Sequence, residues 1–139
     1  MAERELDAAA LENIFREKDS RLTTSVRKYI GDLKETGQFD QIMSIGRTES
    51  PKKKDRQERI IDEVNRSIHG LLSTPDIKIE IHHQARAIWL MEAVGIIDSR
   101  QRLNDLSAIY DFSGPGSEDY LEELMPVVRD EVSNMLKSF

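Results

Sequence analysis

Two histidines stand side by side in "IKIEIHHQARAIWLMEAVG", residues 77–95, and a third, His69, lies upstream. Imidazole is the commonest metal ligand and the usual general base near neutral pH. Adjacent helical side chains diverge by about 100°, so His82 and His83 cannot easily hold one ion together. A ligand pair on one helix needs four-residue spacing, as in H-E-x-x-H, and the chain has no such pair. Glu80 and His83, at i and i+3, match half of the E-x-x-H pattern of di-iron bundles. That chemistry requires a second copy and additional glutamates, which the sequence lacks. One histidine is therefore expected to border a core and the other to face solvent. A metal-dependent or other enzyme centred on Glu80 and His83 stays as an alternative.

Nucleophilic catalysis finds no better set of groups. No G-x-S-x-G elbow is present, and "SGPGS" (113–117) lacks the Lys-Ser/Thr ending of a phosphate-binding loop. The absence of cysteine excludes disulfides, thiol nucleophiles, zinc fingers and iron–sulfur clusters. Glu122 and Glu123 are a carboxylate pair on a face that reads as solvated. The chain is expected to be non-enzymatic and to use no cofactor.

Charge is the next source of chemistry, and it is unevenly spread. Residues 47–59 hold six Lys and Arg against three Asp and Glu, whereas residues 111–139 hold two against seven. Arg47, Lys52, Lys53, Lys54, Arg56 and Arg59 could contact phosphates. Glu49, Asp55 and Glu58 are interleaved with them, and no aromatic is present for base stacking. A net charge of −6 disfavours non-specific nucleic-acid binding, because phosphate neutralisation supplies most of that affinity. Arg100 and Arg102 open a segment laid out like the second helix of a helix–turn–helix, with Asp98 and Asp105 diluting their charge. Glu118, Asp119, Glu122 and Glu123 form an acidic group suited to a basic partner surface.

These groups must be positioned by helices, since most of the chain shows a three-to-four residue apolar period. The first helix is expected over about Arg4 to Lys18, with Leu6, Ala10, Leu11, Ile14 and Phe15 on one side. The second follows a Thr23 or Thr24 cap, contains Gly31 and ends at Gly37. "FDQIMSI" reads as a short third helix closed by Gly46, and residues 46–56 as an exposed basic loop. Ile60, Ile61, Val64, Ile68, Leu71 and Leu72 define the best-supported helix. "STPD" stops it, with Ser73 or Thr74 as the next cap and Pro75 in the first turn.

Ile77, Ile79 and Ile81 alternate as in a strand, but no other run offers a pairing partner and "QARAIWLMEA" favours helix. The segment at about 76–95 is assigned as the central helix, apolar around most of its surface, with Trp89 as its largest packing contribution. After Gly95, Asp98 or Ser99 caps a helix that turns Leu103, Leu106, Ile109 and Tyr110 inward. A break at 113–117 precedes the last helix, which Pro126 either kinks or splits. Leu121, Leu124, Val128, Met135 and Phe139 approximate a heptad seam that could form a dimer, although Glu131 occupies a position such a seam wants apolar.

The expectation is one all-α domain spanning 1–139, a compact bundle of five to seven helices, its length sufficient to bury roughly two-thirds of the unfolded surface. With an acidic N-terminus and no apolar run near the roughly 20 residues of a membrane span, it is expected to be cytoplasmic and not membrane-bound. The function expected is that of an adaptor, regulator or inhibitor that binds another protein, as a homodimer. A nucleic-acid-associated regulator using 47–59 is the alternative.

Overall fold

The computed structural model describes residues 8–36, 55–113 and 118–139, and the described chain is all-helical. Six α-helices are described: α1 (Ala8–Lys18), α2 (Thr24–Glu35), α3 (Arg56–Ser73), α4 (Ile77–Ala93), α5 (Ser99–Ser113) and α6 (Glu118–Ser138). A 3-10 turn, Asp19–Arg21, joins α1 to α2. The short helix expected at 39–45, the Gly37 stop, Arg47, Lys52, Lys53 and Lys54 all lie outside the described residues.

Several helix boundaries have a local chemical cause. The Asp55 carboxylate accepts the Glu58 N–H at 2.8 Å and starts α3. Asp76 does the same for α4, accepting the Lys78 N–H at 2.9 Å. The cap is thus Asp76, not Ser73 or Thr74, and Pro75 lies before the helix instead of in its first turn. Asp98 caps α5 through the Gln101 N–H at 2.7 Å. Gly95, at φ +80°, closes α4: its N–H bonds the Glu92 carbonyl, and the Ile96 N–H returns to Met91 at 2.9 Å. Thr23 stands at the start of α2, but its hydroxyl caps nothing. Its N–H is instead taken by the Gln84 side-chain carbonyl at 2.7 Å.

α4 is the central element, in contact with α2, α3, α5 and α6. It packs antiparallel to α3, as Gly70 lies under His83 and Ser67 bonds Arg86. Ile60, Ile68, Leu71 and Leu72 of α3 meet Ile88, Leu90 and Met91 of α4 in a core that also takes Ile30, Ile109 and Leu121. Ile77 and Ile79 remain 44% and 45% exposed, while Ile81 is buried, so the apparent strand alternation is a helix whose first turn directs Ile77 and Ile79 to solvent. Trp89 is only half-buried, capped by the Arg102 guanidinium 4.3 Å from its ring, and is not the principal core residue. On α5 the inward face runs through Asp105 and Ile109, leaving Leu103 56% exposed where burial was expected.

α6 continues as one helix through Pro126. Proline removes the N–H that would reach the carbonyl of Glu122. Both residues are exposed, so water can satisfy that carbonyl. Among the described residues no helix is long and apolar enough to cross a membrane.

Candidate functional site

α6 divides into two faces. Leu121, Leu124, Val128 and Val132 are buried against the rest of the chain, with Met135 and Phe139 partly buried beside them. The heptad row packs within its own chain, where those side chains already have apolar neighbours. Glu118, Asp119, Glu122 and Glu123 lie on the opposite, exposed face together with Val127, which is 57% exposed. None of the four carboxylates forms an ion pair with another described residue. Glu118 and Asp119 also stand in the first turn, where the helix dipole favours negative charge.

The basic segment is visible only from Asp55 onward. Arg56 is exposed and Arg59 half-buried at the start of α3, with the acidic Asp55 and Glu58 in the same turn. The described part therefore presents mixed charge, not a cationic patch.

Glu80 and His83 do not converge on a common point. Glu80 is 4% exposed and faces the α1–α2 junction, 3.6 Å from Lys18 Nζ and 3.3 Å from Arg21 Nη2. Lys18 also donates to the carbonyls of Leu71 and Thr74 at 2.7 and 2.5 Å, closing the C-terminal end of α3. Burial pushes the Lys18 ammonium below its ordinary range, against the opposing pull of Glu80. Beside it Gln84 bonds the Thr23 N–H and, at 3.4 Å, the Arg21 carbonyl. The Glu80 carboxylate, named in the metal-enzyme alternative, is an ion-pair partner of Lys18 and Arg21. Among the described residues no three His, Asp or Glu side chains gather as a metal ion would require.

His82 and His83 belong to a different network, between α3, α4 and α6. Glu131 of α6 accepts from His82 Nε2 at 2.7 Å and from Arg86 Nη1 at 2.8 Å. Burial raises the Glu131 pKa, but the hydrogen bonds from His82 and Arg86 outweigh it and hold the group below the usual carboxylate range. Arg86 further donates to Ser67 Oγ at 2.9 Å and to His83 Nδ1 at 3.0 Å. His83 lies so close over Gly70 that a Cβ there would be 2.5 Å from its Nε2. Burial, then the Arg86 and His82 charges, lower its pKa to about 4, so the ring is neutral at pH 7 and accepts from Arg86 at Nδ1. Neither histidine is simply solvent-facing, as one was expected to be; both are half-buried.

A cleft of about 200 Å³ opens at the edge of this network, lined by Lys78, Ile79, His82, His83, Arg86, Tyr120 and Glu131. Lys78 Nζ lies 5.3 Å above the Tyr120 ring, and the Tyr120 hydroxyl donates to the Lys78 carbonyl at 3.1 Å. Sequence reading overlooked Lys78, Arg86 and Tyr120. The four-residue spacing of Lys78, His82 and Arg86 was one available signal, and the carboxylate of Glu131 interrupting an apolar seam was another. No family model, curated protein or solved structure matches this chain.

Proposed function

We propose that this chain is a non-enzymatic interaction protein, an adaptor, regulator or inhibitor, whose outward α6 face binds a basic surface on another protein. The observation that carries this reading is the separation of faces on α6: an inner side anchored in the core and an outer side bearing Glu118, Asp119, Glu122 and Glu123 exposed. A helix fixed in this way presents its carboxylates without a large ordering cost on binding. Their field would speed encounter with a cationic partner and repel anionic ones. Val127, exposed on the next turns, adds an apolar contact beside the charges.

The test compares the natural chain with a variant carrying Glu118→Gln, Asp119→Asn, Glu122→Lys and Glu123→Lys as baits in extract of the source cell. Neutral replacements at 118 and 119 avoid placing cations at the positive end of the helix dipole. Partners that elute with moderate salt from the natural chain should be lost from the variant, with the melting temperature nearly unchanged. Equal capture by both baits would refute the acidic-face reading.

A further inference from the structure

The geometry points to a binding site for a compact oxyanion, a carboxylate or phosphate group, at the Lys78–Tyr120 end of the cleft between α4 and α6. Lys78, His82 and Arg86 project from α4 at i, i+4 and i+8, and so form one row along the helix. Glu131 receives His82 and Arg86. Lys78 has no carboxylate within ion-pair distance among the described residues; its ammonium is held over the Tyr120 ring, with its N–H donors available. Tyr120 is itself tethered by its hydroxyl to the Lys78 carbonyl, so the platform under the ammonium is fixed.

The lining charges are the two cations Lys78 and Arg86 against the single carboxylate of Glu131. Arg86 is paired with Glu131, so Lys78 is the lining cation without a carboxylate partner among the described residues. The opposing charges nearby are Asp76, whose effect reaches Tyr120, and the exposed Glu118 and Asp119 that precede Tyr120 in α6. The Asp76 carboxylate accepts the Lys78 backbone N–H as the α4 cap and keeps its charge there. At about 200 Å³ the cleft is smaller than the roughly 300 Å³ at which pockets for drug-sized ligands begin, which limits the occupant to a few heavy atoms. Ile79 and the Tyr120 ring supply an apolar wall beside the charge, suited to the short carbon chain of a small organic acid.

The experiment titrates the full chain with sodium phosphate and, separately, sodium acetate at pH 7, holding ionic strength constant with sodium chloride, and follows amide and aromatic NMR resonances. Saturable shifts confined to Lys78, His82 and Tyr120 are expected. Lys78→Ala should weaken binding by about tenfold, the scale of one hydrogen bond to a charged group, and Lys78→Arg should largely retain it. Lys78 is exposed, so neither variant threatens folding. Saturation by phosphate alone, by acetate alone or by both supports the site and identifies the oxyanion it prefers. Saturation by neither, shifts reproduced by sodium chloride, or affinity unchanged in Lys78→Ala would overturn it.

Discussion

The His83 ring leaves no room for a side chain at Gly70. Helix propensity alone makes Gly70→Ala stabilising by about 1 kcal/mol. A methyl at 2.5 Å from Nε2 must displace a ring that Arg86 holds at Nδ1, and overpacking of this kind costs about 1–3 kcal/mol. The packing term should win. Gly70→Ala is expected to lower stability by about 1 kcal/mol in urea denaturation, and to become stabilising in a His83→Ala background. The same ring sets a pH response. Its folded pKa, about 4, lies below the ordinary 6.5, so its contribution to stability is complete above 6.5 and is lost as pH falls toward 4. Glu131, also lowered, loses its contribution in the same direction, as pH falls through its folded value. Thermal melts should therefore show stability falling as pH drops from 6.5 to 4, and His83→Ala should remove most of that fall. A melting temperature flat across that range would refute the neutral, buried histidine.

At the scale of an element, α6 is fixed by its inner row and by Glu131. Leu121→Ala removes a side chain with no exposed surface and should cost about 2–5 kcal/mol. Because that side chain packs within its own chain, light scattering should give the same solution mass for the variant as for the natural protein. A change in mass at unchanged stability would restore the dimer seam. The heptad pattern was legible in the sequence, but its destination was not, since a docked seam and a dimer seam have the same period. Glu131 was the readable exception: a carboxylate within an apolar row needs hydrogen-bond donors, and Arg86 supplies a cation and His82 a ring N–H. The α4 segment was readable as a helix for a similar reason. One alternating run without a second strand leaves its backbone groups unpaired, whereas a helix satisfies them internally.

At the scale of the molecule, Lys18, Arg21, Glu80 and Gln84 join the α1–α2 pair to the α3–α4 hairpin across more than fifty residues of sequence. Lys18→Ala strands a nearly buried Glu80 on a single, partly exposed arginine and releases two helix-end carbonyls. The expected result is a loss of about 3 kcal/mol, with hydrogen exchange quickening first in α1 and α2 while the α3–α4 core stays protected. Uniform acceleration across all helices would show that the two parts do not open separately.

The sequence by itself determined the helical class, the course of the principal helices and a cap for α5 at Asp98 or Ser99, because apolar period and capping are decided within a few neighbouring residues. It also showed the acidic character of the last helix, since charge is carried by composition. Only the tertiary structure decided which face of that helix is free, that Glu80 answers Lys18 instead of His83, and that Lys78, His82 and Arg86 meet Tyr120 and Glu131 around one cleft. Those pairings join segments 42 to 62 positions apart, and a local pattern does not say which distant segments will meet. Packing geometry does, by bringing one row of side chains on α4 opposite one row on α6.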